Sequence, residues 1–363
     1  MAKYKIAWLP GDGVGIEVCE AARIIFDKME LDAEYIHGDI GWEFWVKEGN
    51  ALPERTLELL NNTDCAFFGA ITSKPKGEAA KELAPELQGK GYVYSSPIVK
   101  MRQLLDLYTC LRPCKAYPGN PLNYKDDIDL VVFRENTEGM YIGVDFEEVP
   151  KEMYAIEKMK KIPEDASISI RSITRKGSER IVRSAFEYAK KHGRKRVTAI
   201  HKANVLRATC GTFMDAARDV AKDYPDIEYG EANIDAMCMW LLKNPYNYDV
   251  IVTTNLFGDI ISDLCAQLVG GLGFGCSGNI GKNYAVFEPT HGSAPKYFGM
   301  YKVNPIATIL AGKMMLDWLG ETEKAKTLEE AVAEVIKEGK ARTYDMGGST
   351  STLDMARAIA QKF

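Results

Sequence analysis

Tyr248-Asp-Val-Ile-Val-Thr-Thr-Asn-Leu-Phe-Gly-Asp-Ile-Ile-Ser-Asp263 joins two unlike patterns. Its first part is a short β-branched apolar run of the kind that forms a buried strand, and from Ile260 to Val269 the apolar residues recur at helical spacing. A buried strand feeding a helix is the unit of an α/β fold with a largely parallel sheet, and such sheets bind ligands outside the carboxyl ends of their strands. Asn255 and Asp259 stand at that point. Asp259 and Asp263 are four residues apart, so on a helix their carboxylates share a face. If Asp235 comes near, the three oxygen ligands suit Mg²⁺ or Mn²⁺, because no His or Cys joins them at a zinc-like spacing. The competing reading has Asp259 capping the helix and Asp263 in solvent.

The same alternation extends outward. Tyr4–Leu9, Cys65–Phe68, Leu130–Phe133 and Arg196–Ile200 read as further short buried strands, and Ile16–Met29, Gly177–Lys191 and Val205–Lys222 carry helical periodicity. After Asn255 the pattern turns mainly helical, over Ile260–Val269, Pro305–Leu319, Leu328–Lys337 and Thr352–Ala360. These late helices need a sheet to pack on, and the amino-terminal one is the best candidate, so a discontinuous first domain is expected. Ser73–Gly91, rich in Lys, Glu, Pro and Gly, is expected to be a mobile loop or an insertion near the site. Tyr141–Arg175 has alternating apolar residues in Ser167–Ile173 and is expected to form an extended arm.

With 363 residues, 46% of them hydrophobic, the chain has material for about two domains. A net charge of -5 argues against a general nucleic-acid binder, which needs a basic surface to neutralise phosphates. No apolar stretch approaches the ~20 residues of a membrane span, and Met-Ala-Lys-Tyr-Lys leads into a strand without a signal-peptide core, so a cytoplasmic protein is expected. The eight cysteines contain no Cys-x-x-Cys pair and are expected to be free thiols, mostly buried.

Pro10-Gly-Asp-Gly-Val-Gly15 follows the first strand and opens a helix, where a dinucleotide fingerprint would stand, but the position that fingerprint reserves for its third glycine holds Ile16. Gly273-x-Gly-x-x-Gly278 has the spacing without the context, and reads as a turn-rich loop. In His291-Gly-Ser-Ala-Pro-Lys-Tyr297, small residues permit close backbone approach while Lys296 and Tyr297 offer a cation and a phenol, a combination that holds phosphate well. Arg102, Arg112 and Arg134 lie on three successive elements. The last two stand beside apolar residues at strand ends, where half-buried guanidinium groups seek carboxylates, either a substrate's or internal ones. Tyr141 and Lys202 sit just past strand ends, and a nearby metal would lower the pKa of a phenol or amine into the range of proton transfer near neutral pH.

In combination and in order, the segments from Pro10-Gly-Asp-Gly-Val-Gly15 to Asp345-Met-Gly-Gly348 resemble the β-decarboxylating dehydrogenases, the family of isocitrate, homoisocitrate, 3-isopropylmalate and tartrate dehydrogenases. The resemblance covers nearly the whole chain. It implies an isocitrate/isopropylmalate dehydrogenase-like α/β fold with a mostly parallel, mixed sheet and a nucleotide site unlike the Rossmann kind. A large domain would come from 1–106 and 264–363. A small dimerisation domain would span 107–263, with an arm at about 141–175 clasping a second subunit. The implied reaction oxidises a metal-bound 2-hydroxy acid by hydride transfer to a nicotinamide, after which the β-carboxylate leaves as CO₂. By matching motifs, Asp235, Asp259 and Asp263 would ligate Mg²⁺ or Mn²⁺, with Asp235 supplied by the other subunit of an obligate homodimer. Arg102, Arg112 and Arg134 would clamp the substrate, with Ser96 and Asn204 beside them. Lys202, also from the other subunit, would assist removal of the hydroxyl proton, and Tyr141 would protonate the enolate.

The resemblance also implies a nucleotide on His291, Gly292, Ser293, Ala294 and Pro295, with Thr72 in the same site, Asn304 near the adenine and Glu288 near the nicotinamide end. Members using NAD commonly carry an acidic residue after the His-Gly-Ser/Thr-Ala-Pro run. Here Lys296 and Tyr297 occupy that place, and with Tyr344 they suit a 2′-phosphate, so NADP is expected ahead of NAD, although Gly348 stands where bacterial NADP enzymes place an arginine. Asp106–Pro113, Arg134–Glu138 and Lys296-Tyr297 lean to isocitrate, while Ser96-Pro-Ile-Val-Lys-Met-Arg102 looks like archaeal-type homoisocitrate dehydrogenases. Isocitrate is therefore the expected acid, homoisocitrate the alternative, and 3-isopropylmalate or tartrate follow. A non-catalytic regulatory subunit would keep the fold and lose site residues; every residue named above is present.

Overall fold

The computed structural model of the chain describes residues 2–363. Ten strands form one sheet: β1 (Tyr4–Gly11), β2 (Ala33–His37), β3 (Cys65–Ala70), β4 (Thr109–Lys115), β5 (Asp129–Glu135), β8 (Arg196–His201), β9 (Glu228–Asn233), β10 (Val250–Thr253), β11 (Cys276–Ile280) and β12 (Ala285–Pro289). Two short strands, β6 (Asp145–Phe146) and β7 (Ile168–Ser169), pair antiparallel in the arm, which carries 3₁₀ turns at Lys151–Ala155 and Glu157–Lys161. The order in the large sheet is β2-β1-β3-β12-β11-β4-β5-β10-β8-β9. Its two flanks, β2-β1-β3-β12 and β5-β10-β8-β9, are parallel throughout. Only the middle, where β11 meets β12 and β4 and where β4 meets β5, is antiparallel. The strands carrying the candidate site lie at this seam between two parallel halves.

Helices cover both faces. On the amino-terminal flank α1 (Val14–Lys28), α2 (Trp42–Glu48), α3 (Glu54–Leu60), α4 (Lys76–Lys81) and α5 (Pro97–Leu104) alternate with the strands. On the other flank stand α6 (Arg175–Lys191), α7 (Arg207–Ala221), α8 (Ile234–Lys243) and α9 (Asn255–Leu268). The chain's last helices, α10 (Ile306–Trp318), α11 (Thr322–Glu338) and α12 (Thr352–Ala360), pack with α1 on the amino-terminal half. Within β5, Val131 and Phe133 face the α6–α7 core while Leu130 and Val132 face the α8–α9 core, so one apolar run fills both layers. Across the amino-terminal flank, Phe67 stacks on Trp8 at 5.0 Å and takes Phe26 edge-on at 5.4 Å. Deleting that ring would cost about 3–5 kcal/mol. Among the described residues no helix is long and apolar enough to cross a membrane, and all eight cysteines are free, seven of them buried.

Three expectations change. Ser73–Gly91 is not simply a loop: α4 buries Ala79, whose carbonyl accepts from Trp45 Nε1 at 2.9 Å, and Leu83 joins the same small core. Gly273–Gly278 is not all turn, because Cys276–Ile280 is strand β11, buried between β12 and β4. Finally, α9 runs unbroken through residues 263 and 264, and the sheet is continuous across both halves, so the proposed domain boundary at that point falls inside a helix.

Candidate active site

The turn from β10 into α9 delivers Asn255 at the first helical position and Asp259 one turn later. Thr254 is the N-cap residue, so Asp259 does not cap the helix. α9 lies so close to β5 that a Cβ on Gly258 would stand 2.5 Å from Cγ of Arg134; glycine there lets the helix pass the arginine stem. Arg134 is 1% exposed. Its Nε and Nη2 both donate to Asn255 Oδ1, at 3.1 and 2.8 Å, and its Nη1 donates to Asp259 Oδ1. Tyr141, in a single 3₁₀ turn, donates its hydroxyl to the other oxygen of Asp259, and the Arg134 guanidinium stands 5.0 Å from the phenol ring centre.

Arg112 from β4 reaches the same helix. Its Nη1 donates to Ser262 Oγ at 2.6 Å and to Asp263 Oδ1 at 3.4 Å, and lies 3.6 Å from Asp259 Oδ1. The two carboxylates four apart thus converge on one guanidinium. Arg102 on α5 donates through Nε to Asn279 Oδ1 at 2.9 Å and through Nη2 to Glu288 Oε1 at 3.0 Å. The three arginines, Asp259, Asp263 and Tyr141 therefore surround one point at the sheet's antiparallel seam, and Glu288 joins through Arg102.

Their electrostatics follow. Burial works to raise the Asp259 pKa, but Arg134, the Tyr141 hydrogen bond and Arg112 outweigh it and hold that carboxylate below its ordinary value. Asp263 ends above its ordinary value, because burial and the Asp259 charge outweigh Arg112. Burial and the bond to Asp259 push the Tyr141 phenol upward, so in the chain by itself it keeps its proton; the sequence-based expectation of a lowered value needs the cation.

Asp235, Lys202 and Asn204 stand apart. Lys202 follows β8 and pairs with Asp235, in the first turn of α8, at 2.5 Å, an arrangement that lowers the Asp235 pKa. Asn204 is exposed in the turn after Lys202. Among the described residues no three His, Cys, Asp or Glu side chains are grouped to hold a metal ion. Within one chain, then, Asp259 and Asp263 offer a pair of oxygen donors and Asp235 does not join them. Ser96 is the N-cap residue of α5, near the buried Met101 and Arg102, yet its hydroxyl makes no cap bond.

Of the nucleotide-binding candidates, His291, Gly292, Ala294, Tyr297, Asn304 and Tyr344 line a cavity of about 430 Å³, together with Val14 and Gly273, whereas Thr72, Glu288, Ser293, Pro295 and Lys296 are not in its wall. Beside Gly13, Asp12 accepts from the backbone N–H groups of Trp42 and Thr72 at 2.8 and 2.9 Å. A Cβ on Gly13 (φ 56°) would meet the Ser293 carbonyl at 2.3 Å, and the Thr72 and Ser293 hydroxyls bond at 2.7 Å. The Pro10–Gly15 segment thus backs the His291 loop. His291 Nε2 is buried without a partner, a polar atom that a bound nucleotide would satisfy. Asn304 donates to Asp345 at 3.1 Å. At the mouth the Tyr297 and Tyr344 rings lie 5.7 Å apart; Lys296 stands 4.9 Å from the Tyr297 ring and Lys302 4.5 Å from the Tyr344 ring. The bond with Tyr344, followed by the charge of Lys296, lowers the Tyr297 pKa. Sequence reasoning missed Lys302, Asn279 and Asn255's grip on Arg134.

The chain resembles known proteins along its full length. Residues 5–359 match the model of the family described as isocitrate/isopropylmalate dehydrogenase. It is 46% identical to the 3-isopropylmalate dehydrogenase of Archaeoglobus fulgidus, over 98% of each protein, and 41% identical to the homoisocitrate dehydrogenase of Methanocaldococcus jannaschii, over 98% of the chain and 96% of that protein. The crystal structure of isocitrate dehydrogenase from Methylococcus capsulatus superposes with a TM-score of 0.88 at 38% identity, covering 99% of both chains. A match of this extent, on a fold of this strand order, makes the chain a member of the isocitrate/isopropylmalate dehydrogenase family.

Proposed function

We propose that the chain catalyses metal-dependent oxidative decarboxylation of a 2-hydroxy polycarboxylic acid with NAD(P), isocitrate to 2-oxoglutarate being the leading reaction. The observation that carries this is the convergence of Arg112, Arg134 and Tyr141 on Asp259, beside Asp263. Three guanidinium groups stand against three carboxylates, Asp259, Asp263 and Glu288, and a divalent cation on the first two would leave the site net positive toward an anionic substrate. Asp235 completes that donor set from the second subunit of a homodimer. The elements bearing Lys202, Asp235 and Asp259 also expose Val205, Leu206, Met239, Leu242 and Ile260, an apolar surface that a second copy would cover.

A cation held by Asp259 and Asp263 would supply Lewis-acid polarisation of the substrate's oxygens, and a bound nicotinamide would supply the hydride acceptor. Arg102, Arg112 and Arg134 orient the carboxylates. Lys202 of the second subunit accepts the hydroxyl proton. Tyr141, which keeps its proton under burial and the Asp259 bond, delivers it to the carbon left by CO₂. NADP is the preferred nucleotide, because Lys296, Lys302, Tyr297 and Tyr344 crowd the cavity mouth with two cations and two phenols. Homoisocitrate is the second reading, favoured by the Ser96–Arg102 text, in which Ile98 packs partly into the core beneath α5; the relatives named for 3-isopropylmalate keep that acid in the test. Release of one CO₂ per NADPH formed from isocitrate, abolished by chelator and restored by Mn²⁺, is the expected result, and nucleotide reduction without CO₂ would refute the reaction type.

A further inference from the structure

Asn279 touches no open site. It is 0% exposed on β11, yet it stands at the centre of a closed hydrogen-bonded triangle. Its Oδ1 accepts from Arg102 Nε at 2.9 Å, and its Nδ2 donates to Glu288 Oε1 at 2.6 Å, while Arg102 Nη2 donates to that same glutamate oxygen at 3.0 Å. Asn279 Oδ1 also accepts from Asn136 Nδ2 at 2.9 Å, reaching across to the end of β5. Four elements, α5, β11, β12 and the turn after β5, are thereby tied through one side-chain amide.

From this we infer that Asn279 is a positioning residue that locks Arg102 and Glu288 into one unit, so that the substrate-clamping guanidinium and the nicotinamide-side carboxylate are aligned together. The inference rests on the reading of Arg102 as a substrate clamp. With Nε and one hydrogen of Nη2 fixed by the triangle, the opposite edge of the guanidinium, Nη1 with the second Nη2 hydrogen, is the fork left for a carboxylate. A neutral amide is needed for this. Glu288 already pairs with Arg102 Nη2 at 3.0 Å, and a neutral amide can both accept from Nε and donate to that carboxylate, whereas a second carboxyl here would lose the donor to Glu288 and set two carboxyl groups against one guanidinium. Asn255 treats Arg134 in the same way, giving its Oδ1 to both Nε and Nη2, so two of the three arginines are braced by asparagine oxygens on their inner edge. Of the two, only Asn279 also grips the residue on the nucleotide side.

The test compares Asn279→Asp and Asn279→Ser with the parent homodimer, using whichever acid of isocitrate, homoisocitrate and 3-isopropylmalate the parent oxidises. Asn279→Asp keeps the shape but replaces the donor to Glu288 with a second carboxyl beside it; Asn279→Ser keeps a neutral acceptor on a shorter stem. We expect Asn279→Asp to raise the KM of the acid at least about tenfold while the KM of the nucleotide stays within about twofold, with Asn279→Ser less impaired in the acid's KM and lowered chiefly in kcat. Thermal unfolding of each variant separates these effects from lost protein. Folded variants of both kinds with kcat and both KM values within about twofold of the parent would overturn the inference. So would equal losses in both variants that follow only the folded fraction. If the parent oxidises none of the acids, the reading of the site fails first, and this inference falls with it.

Discussion

Tyr141 donates its hydroxyl to one oxygen of Asp259. Burial and this contact keep the phenol protonated, and in the proposed reaction Tyr141 is the proton donor beside a carboxylate proposed to hold the metal. Tyr141→Phe removes the donor and leaves the ring under Arg134, so we expect kcat to fall about 10²- to 10⁴-fold with the KM of the acid changed within about threefold. Steady-state kinetics on the purified variant check this, and a kcat near the parental value would remove Tyr141 from the chemistry.

Lys202 and Asp235 pair with each other and lie apart from Asp259 within one chain. Lys202→Met is expected to abolish turnover while its Tm stays within about 2 °C, since the side chain sits in a turn outside the core. Shared sites make a sharper statement. When inactive Lys202→Met and inactive Asp259→Asn chains are mixed and allowed to exchange, half of the dimers are hybrids. Each hybrid holds one site with both residues intact, so about a quarter of parental activity should return. Sites built within single subunits would give none.

Asp259→Asn removes the charge facing the buried Arg134, so we expect a loss of about 1–3 kcal/mol in stability at neutral pH, together with weaker Mn²⁺ and substrate binding. The pH dependence has a definite sign. The folded Asp259 pKa lies below its unfolded value, so its contribution is present above about pH 4 and is lost as pH falls through the folded pKa. The stability gap between parent and variant, followed by thermal unfolding, should therefore narrow on acidification below pH of about 4. A gap that widens there would contradict the pairing.

Lys296→Asp places a carboxylate where the cavity mouth now holds a cation. The ratio of kcat/KM for NADP over NAD should drop at least about tenfold, by loss of attraction for the 2′-phosphate and gain of an acceptor for ribose hydroxyls. An unchanged ratio would place nucleotide selection elsewhere.

Five strands of the parallel flanks were legible as short apolar runs, those in β1, β3, β5, β8 and β10, whereas β2 and the wholly buried β12 were not read. β4 was not read either, since Arg112-Pro113 breaks the pattern. Pro113 is tolerated because β11 pairs with β4 only as far as Leu111, leaving β5 as the sole neighbour at the proline. The polar edge strand β9 and the glycine-bearing β11 likewise lack an apolar signature. At the site, charged residues beside strand ends were readable one by one, and their order carried the family. The amides of Asn255 and Asn279 were not, because bracing a guanidinium from behind requires partners more than a hundred residues distant, Arg134 with Asn255 and Arg102 with Asn279.

The most direct test is the rate of nucleotide reduction by the purified protein with Mn²⁺, offering isocitrate, homoisocitrate, 3-isopropylmalate and tartrate in turn, each with NADP and with NAD. We expect the highest kcat/KM for isocitrate with NADP and no reduction after chelation of the metal. No reduction with any of the four acids, in protein that is folded and loaded with Mn²⁺, would contradict the assignment of the Arg112–Arg134–Asp259 cluster as an oxidative decarboxylation site.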